Sequence, residues 1–154
     1  MKALKPLLAA AILTAGLAAP GVAQEPRDTA QEEANRKLVV DFYDKVFNQH
    51  MVEEGAAVLT EDYKQHNPHV PDGKEPFVSY FTQFFKDNPE ARTKVVRSAA
   101  DGDLVWLHNH SMQNAEDRGE AIVDIFRVED GRIVEHWDVI QPVPETSANE
   151  NTMF

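Results

Sequence analysis

The sequence predicts an α+β domain, because helical patterns come first and a run of alternating strands follows. Apolar side chains recur at four-residue spacing around Leu38 and Phe42 and again around Phe77 and Phe81, as on the buried face of a helix. After Pro89 the period changes to two, and Asp-Gly pairs separate the alternating segments, which is typical of antiparallel hairpins. We expect the helices to cover one face of a curved sheet and to leave a ligand pocket between the two layers.

The N-terminal segment has the pattern of a secretory signal peptide. Lys2 and Lys5 precede a run rich in Ala and Leu, and the small residues that end at Ala23 resemble a cleavage site. The run is too short to span a bilayer, so a retained membrane anchor is the weaker alternative. This pattern predicts export to the periplasm or the medium. The chain then divides into a signal peptide (1–23), a leader (24–31), one domain (32–141) and an irregular tail (142–154).

Composition limits the partners that this domain can bind. The chain has a formal net charge of −11 and no cysteine; removal of Lys2 and Lys5, with no acidic residue, would make the charge −13. An acidic surface repels phosphate backbones and anionic lipids, which argues against nucleic-acid and membrane partners, although simple solubility explains the charge equally well. Without cysteine there is no disulfide, thiolate nucleophile or cysteine metal site.

Local signals place the individual elements. Thr29 and Glu32 form a capping-box pattern, so the first helix is predicted to begin with Thr29 as its N-cap. Pro76 suits the first turn of the next long helix, and Asn88-Pro89 ends it. We expect a short helix over 55–59, an extended or turn-like segment over 62–73, and strands over 93–98, 104–112, 120–128 and 133–140.

Asp124 is the strongest candidate for a chemical role. It alternates with Ile122 and Phe126 on one face of a predicted strand whose other face is also apolar. A carboxylate among apolar side chains loses hydration unless it is paired, hydrogen-bonded or protonated. Acids of this kind concentrate in functional pockets, but a structural ion pair with a nearby His or Arg is the alternative.

Histidine residues on the neighbouring strands are candidate partners. His108 and His110 share one strand face, and His136 and Asp138 share another, opposite Trp137. A metal site built from the three histidines and a carboxylate is one alternative; hydrogen-bonded pocket histidines and solvent-facing histidines are the others. Signatures of nucleotide binding, serine hydrolysis and zinc proteolysis are absent from the sequence.

A resemblance to a known family rests mainly on the segment 124–138, which reads DIFRVEDGRIVEHWD. It resembles the closing hairpin of the SnoaL-like branch of the nuclear transport factor 2-like superfamily, which includes polyketide cyclases, ketosteroid isomerases and scytalone dehydratase. Segments 42–44 and 62–68 and the aromatic helix also fall where that superfamily has counterparts, so the resemblance covers roughly residues 32–141. It implies a cone-shaped fold, in which a curved mixed sheet wraps around N-terminal helices and encloses an apolar pocket, and a homodimer.

The resemblance also implies roles for single residues. Asp124 falls on the acid that polyketide cyclases use for proton transfer, and on the protonated aspartic acid of the oxyanion hole in ketosteroid isomerases. His110 falls near a pocket histidine of the cyclases, and Trp137 on a pocket aromatic residue of the isomerases. The isomerase base precedes a proline, where this chain has Asn67. The missing carboxylate argues against the isomerase mechanism and favours aldol or cyclase chemistry.

These observations predict an exported enzyme that carries out cofactor-free acid/base chemistry, of the aldol, cyclase or isomerase type, on a small hydrophobic carbonyl compound. Asp124 would exchange a proton with the substrate, and His110 would orient or complement it. The expected substrate-binding residues are His66, Asn67, Tyr43, Phe81, Trp106, His108, His136 and Trp137. No metal is expected in this interpretation. The alternative function is a non-catalytic protein that binds a hydrophobic ligand on the same fold.

Overall fold

The computed structural model describes residues 27–154, so the predicted signal peptide lies outside the described residues. The elements are α1 (Thr29–Phe47), α2 (Val52–Gly55), a 3₁₀ turn (Ala56–Val58), β1 (Leu59–Gln65), α3 (Lys74–Asp87), β2 (Arg92–Asp101), β3 (Leu104–Met112), β4 (Glu120–Glu129) and β5 (Arg132–Pro142). The predicted α+β class is confirmed. β1 begins at Leu59, where a short helix was expected, and overlaps the segment expected to be extended or turn-like. Within residues 27–154, no helix is long and apolar enough to cross a membrane.

The N-terminus of α1 differs from the predicted capping box. Asp28, not Thr29, is the N-cap, and its side chain accepts a hydrogen bond from the Gln31 backbone N–H at 3.0 Å. Aspartate is as good a cap as threonine, and here it stands one residue earlier. Glu32 does not reach back to the cap, because its carboxylate binds the guanidinium of Arg27 at 2.7 Å. The prediction of Thr29 as N-cap is therefore wrong.

The short second helix begins earlier than predicted. α2 covers Val52–Gly55, and the residues that follow form the 3₁₀ turn. Gly55 allows α2 to approach α1 closely, because an added Cβ would lie 2.5 Å from Cγ2 of Val46. The glycine is thus a packing requirement at the helix contact rather than a sign of a weak helix.

All five strands form one mixed sheet in the order β1-β5-β4-β3-β2. β1 runs parallel to β5, and the other neighbouring strands are antiparallel. Register shifts interrupt the β1–β5, β2–β3 and β4–β5 pairings, and bulges of this kind bend strands. The result is the curved, unclosed sheet that the family resemblance implied.

The core lies between the helices and one face of the sheet, which we call the inner face. Apolar side chains from both layers are buried there: Val39, Phe42, Val46, Leu59, Tyr63, Phe77, Val105, Leu107, Phe126, Val128 and Ile133. On β3 the buried residues Val105, Leu107 and Asn109 point inward. Strand alternation therefore puts His108 and His110 on the opposite, outer face.

The C-terminal tail returns along the outer face of the sheet. The ring of Phe154 stacks on the imidazole of His110 with centroids 4.0 Å apart, and its centroid lies 5.8 Å from that of His108. Phe154 is therefore held on the side of the sheet opposite to the helices.

Candidate active site

A cavity of about 790 Å³ lies between the helices and the inner face of the sheet. Most of its helical wall is aromatic and consists of Phe42, Tyr43, Phe47, Phe77, Tyr80, Phe81, Phe84 and Phe85. On the sheet side it is lined by the polar side chains of Gln65, Asn67, Asp124, His136 and Asp138. An apolar cavity of this volume with a few convergent polar groups is the usual form of a small-molecule site.

Asp124 lies at the polar end of the cavity and is only 4% exposed. Its Oδ2 accepts hydrogen bonds from the hydroxyl of Tyr43 at 3.0 Å and from Nδ2 of Asn109 at 2.6 Å. Its Oδ1 faces Nε2 of His136 at 2.8 Å. Antiparallel pairing places positions 109 and 136 diagonally beside Asp124, so the fold itself assembles this cluster.

Asn109 shows that the Asp124 site is maintained at a cost to stability. Asn109 is fully buried, and its Oδ1 has no hydrogen-bond partner among the described residues. A buried unpaired acceptor costs about 1–3 kcal/mol. The amide orientation that leaves Oδ1 unpaired is the one that directs Nδ2 to Asp124, so the hydrogen bond to Asp124 is formed at this cost.

The hydrogen bonds of His136 define where its protons are. Nδ1 lies 2.9 Å from Oε1 of Gln65, and the same oxygen accepts the backbone N–H of Asn67 at 3.3 Å. The oxygen of the Gln65 amide therefore faces the ring, so Nδ1 must carry a hydrogen. One further proton is then shared between Nε2 and Asp124. The two donors to Asp124 both bind Oδ2, so Oδ1 is the oxygen that shares this proton with His136.

Tyr43 remains a donor to this pair at neutral pH. Burial raises the pKa of the Tyr43 phenol well above its usual value, and the charge of Asp124 raises it further. The neighbouring Phe42 is a core residue, whereas the hydroxyl of Tyr43 reaches Asp124.

Asp138 provides a second carboxylate beside the pair. It lies directly opposite Asp124 in the β4–β5 register, and its Oδ2 accepts a hydrogen bond from Nδ2 of Asn67 at 2.7 Å. The Asn67 amide is oriented by the backbone N–H of His69, which donates to its Oδ1 at 2.9 Å. Among the described residues, Asn67 is the only side-chain or backbone donor to the Asp138 carboxylate. The other oxygen of Asp138 is therefore available to a ligand.

Tyr63 is the other phenol at this end of the cavity. Burial raises the pKa of Tyr63 well above its usual value, and the charges of Asp124 and Asp138 add to the effect. Tyr63 lines the cavity, and its hydroxyl has no hydrogen bond to another side chain or to the backbone within residues 27–154. It is therefore a protonated donor that a bound molecule can use.

Comparison with known proteins places the chain in a family. The model of the SnoaL-like domain matches residues 39–136, which is more than half of the chain. The protein belongs to the SnoaL-like family. This family lies within the nuclear transport factor 2-like superfamily, as the closing hairpin predicted. No sequence among curated proteins matches the chain.

Solved structures with the same fold as this SnoaL-like protein are distant in sequence. A candidate ketosteroid isomerase from Kribbella flavida is 20% identical over 80% of this chain and 90% of its own, with a TM-score of 0.63. A SnoaL-like protein of unknown function from Burkholderia thailandensis is 15% identical over 71% and 96%, with a TM-score of 0.61. An LEH-like epoxide hydrolase from M. tuberculosis is 17% identical over 72% and 85%, with a TM-score of 0.54. At these identities the likeness shows the fold alone.

Five of the ten residues expected at the site of this SnoaL-like protein line the cavity. They are Asp124, Tyr43, Asn67, Phe81 and His136. The predicted catalytic partner of Asp124 was His110, and this prediction is corrected, because the imidazole beside Asp124 is that of His136. His110 lies on the outer face, where its Nε2 donates to the carbonyl oxygen of Arg118 at 2.8 Å.

The other expected residues also lie on the outer face, away from the cavity. Trp106 and His108 share the outward side of β3, and Nδ1 of His108 accepts a hydrogen bond from Arg97 at 2.8 Å. His66 and Trp137 stack on each other with centroids 4.6 Å apart. Trp137 lies between His136 and Asp138 on β5, so strand alternation turns it away from the cavity.

Sequence reasoning missed four polar residues of the site. Asp138 was noted as sharing a face with His136, but it was not expected in the site. Gln65 and Tyr63 lie in the segment whose strand was not recognised, and the alternation of β1 would have turned both side chains inward. Asn109 stands between the two candidate histidines of β3, and the signal that could have found it is its place in the buried alternation of Val105 and Leu107.

The same cluster contains the donor set of a candidate metal site. Asp124, His136 and Asp138 each offer one ligand atom, and these atoms lie within 4.8 Å of one another. A metal ion bound there would have to separate Asp124 Oδ1 from His136 Nε2, which are hydrogen-bonded at 2.8 Å, because ligands of one ion stand farther apart. The alternative metal site built from His108, His110 and His136 is not assembled, because the first two lie on the outer face.

Proposed function

We propose that this protein catalyses cofactor-free acid/base chemistry on a small hydrophobic carbonyl compound. The observation that carries the proposal is the hydrogen-bonded Asp124–His136 pair, with the carboxylate of Asp138 beside it, at the polar end of an aromatic cavity. Enolisation is the step common to aldol, cyclase and isomerase reactions, and it needs one base at the α-carbon and one donor at the carbonyl oxygen.

Asp138 is the group best placed to act as the base. Asn67 donates to only one of its oxygens, whereas Asp124 is occupied by three partners. In the proposed step the α-carbon gives its proton to the free oxygen of Asp138. The electrons of the C–H bond then form the C=C bond of the enol, and the carbonyl oxygen gains negative charge.

The Asp124–His136 pair and Tyr63 act on the carbonyl oxygen. The single proton shared by Asp124 and His136 is the one transferred to that oxygen, and the Tyr63 hydroxyl donates a hydrogen bond to it. Tyr43, Asn109 and Gln65 hold the pair in position through their hydrogen bonds to it. Preorganised donors of this kind are most effective in a site that excludes water, which the aromatic wall provides.

The comparisons support an enzymatic role in general terms. Fold neighbours described as a candidate ketosteroid isomerase and as an epoxide hydrolase indicate that this architecture can carry catalytic sites. The cavity volume of about 790 Å³ suits a small molecule rather than a polymer. Export through residues 1–23 and a homodimer remain parts of the proposal.

Exchange of α-protons for deuterium tests the proposal without knowledge of the complete reaction. The purified protein is incubated in D₂O with a panel of apolar ketones, 1,3-diketones and β-keto esters, and loss of the α-proton signal is followed by NMR. We expect faster exchange than in buffer for at least one compound. Asp138→Asn should reduce the enzymatic rate by about 10²- to 10⁴-fold, the usual contribution of a general base.

Asp130→Asn is the matched control. Asp130 is an exposed carboxylate in the β4–β5 turn with a φ of 48°, a conformation that asparagine adopts readily. This variant should exchange protons at the wild-type rate. Full activity of Asp138→Asn would show that another group is the base, and activity that is lost on chelation and restored by a divalent metal would assign the cluster to a metal enzyme.

The same panel also tests the rival function. Compounds that bind, seen as saturable shifts of the aromatic NMR signals of the cavity, without any catalysed exchange would indicate a non-catalytic carrier of hydrophobic ligands. The aromatic wall alone fits that function as well as it fits an enzyme, so only the polar cluster distinguishes the two.

A further inference from the structure

We propose that Phe154 and His110 form a latch on the outer face of the sheet that positions the loop at the mouth of the cavity. The loop comprises residues 113–119, between β3 and β4, and we call it the mouth loop. The latch controls how readily the mouth loop opens, and hence how quickly a ligand enters. It acts at a distance from the polar cluster and holds whether the protein is an enzyme or a carrier.

The mouth loop forms one side of the cavity entrance. Its cavity-lining residues are Gln113, Glu116, Asp117, Arg118 and Gly119. Both oxygens of the Asp117 carboxylate accept backbone hydrogen bonds from within the loop, from Gln113 N–H and from Gly119 N–H, each at 2.9 Å. These bonds lower the pKa of Asp117, so the carboxylate stays charged and ties the two ends of the loop into one unit.

His110 connects this unit to the sheet. Its Nε2–H donates to the carbonyl oxygen of Arg118 at 2.8 Å. The next residue, Gly119, has a φ of 76°, and an added Cβ would lie 2.1 Å from the carbonyl oxygen of Ser111 and 2.9 Å from Nε2 of His110. Glycine is therefore required for the loop to approach His110 this closely.

The beginning of the tail is attached to the same residues of the loop. Val143 donates its backbone N–H to the carbonyl oxygen of Gly119 at 2.9 Å, and Arg118 Nε donates to the carbonyl oxygen of Val143 at 3.3 Å. The tail thus contacts this region at both of its ends. Val143 binds the mouth loop itself, and Phe154 stacks on His110, the residue that holds the loop.

Phe154 fixes the orientation of the His110 ring. The two rings are 4.0 Å apart and inclined by 19°, a stacked arrangement that opposes rotation of the imidazole on an otherwise open face. Rotation would carry Nε2 away from Arg118 and release the loop. Phe154 is therefore a positioning residue for the cavity mouth although it contacts no residue of the polar cluster.

Hydrogen–deuterium exchange of the mouth loop tests the latch directly. In Phe154→Ala we expect amides 113–119 to exchange about fivefold faster, the effect of losing one aromatic pair, while amides of β4 and β5 keep their rates. Phe154→Tyr keeps the stacking and should restore wild-type exchange. His110→Phe keeps the stacking but removes the donor, and should release the loop as Phe154→Ala does. Glu150→Ala, an exposed change in the same tail, is the control.

Entry of a ligand is measured with 8-anilinonaphthalene-1-sulfonate as the probe. Its association rate, followed by stopped-flow fluorescence, should rise about fivefold in Phe154→Ala and return to the wild-type value in Phe154→Tyr. Unchanged loop exchange in Phe154→Ala or in His110→Phe would overturn the latch. Faster exchange throughout the domain, or faster loop exchange with no change in the association rate, would also overturn it.

Discussion

Two carboxylate–histidine pairs stand at adjacent positions of β5 and face opposite sides of the sheet. On the inner face His136 Nε2 lies 2.8 Å from Asp124, and on the outer face Glu135 Oε1 lies 2.8 Å from His66 Nε2. The distances are equal, but the side chains of the inner pair are 8% and 6% exposed, and those of the outer pair are 39% exposed for His66 and 17% for Glu135. The difference between the two pairs is therefore one of environment.

The environment decides what each pair can do. The inner pair faces an aromatic cavity; Tyr43 and Asn109 donate hydrogen bonds to its carboxylate, and Gln65 accepts one from its imidazole. The outer carboxylate also binds the guanidinium of Arg127 at 3.0 Å, and water reaches the cluster. In a low-dielectric site a shared proton interacts strongly with a bound molecule, whereas in water the same interaction is screened. A short carboxylate–imidazole distance alone does not identify a catalytic pair.

The largest expected difference between the pairs is in catalysis. Asp124→Asn removes the proton-sharing carboxylate, and we expect the α-proton exchange rate to fall by about 10²- to 10⁴-fold. Glu135→Gln makes the equivalent change on the outer face and should leave the rate within about twofold. The rates are measured by NMR in D₂O on the same compound. Equal effects of the two substitutions would show that the inner pair has no special role in the reaction.

A second difference is expected in stability. Asp124→Ala leaves His136 buried without its partner and removes the acceptor of Tyr43 and Asn109, so we expect a loss of about 3–5 kcal/mol in the free energy of unfolding. Glu135→Ala removes a partly exposed ion pair and should cost about 1 kcal/mol or less. Urea unfolding at pH 7 measures both. A small loss in Asp124→Ala would mean that water enters the site freely and that the pair is not desolvated.

The fold was predictable because each of its main elements is indicated either by a local turn signal or by a long periodic pattern of apolar residues. The stripe from Leu38 to Val46, the aromatic helix and the two Asp-Gly hairpins each fix one element, and the resemblance of the closing hairpin supplied the mixed sheet. β1 was harder to predict, because Asp62-Tyr63-Lys64-Gln65 has no apolar alternation. This segment is a strand because it pairs with β5, which lies about 70 residues later in the chain.

The site was only partly predictable, because both faces of β3 contain apolar and polar residues. Trp106, His108 and His110 looked as suitable for the interior as Val105, Leu107 and Asn109, and the smaller branched side chains occupy the inner face beneath α1. On β5, simple alternation would put Ile133 and His136 on opposite faces. The register shift beside Ile133 turns both side chains inward. No sequence pattern indicates that bulge.

The smallest expected difference is the acid sensitivity of the outer pair. The hydrogen bond from His66 is the main reason why the pKa of the Glu135 carboxyl lies below its usual value, and Arg127 contributes to the same shift. In the unfolded chain the pKa returns to its ordinary value, so the stabilisation is fully present above that value and is lost as the pH falls through the lowered one. Glu135→Gln should therefore lower the free energy of unfolding at pH 7 by about 0.5 kcal/mol.

Urea unfolding of the wild type and of Glu135→Gln at pH 7, 5 and 3 measures this difference. We expect it to shrink in acid and also to shrink at pH 7 in high salt, because the cluster is reached by mobile ions. A difference that is independent of both pH and salt would mean that Glu135 stabilises the sheet by packing, and the outer pair would then resemble the inner one more closely than its exposure implies. The two carboxylates lie at the same distance from their histidines, so the contrast between the two faces is due to their different exposure to solvent.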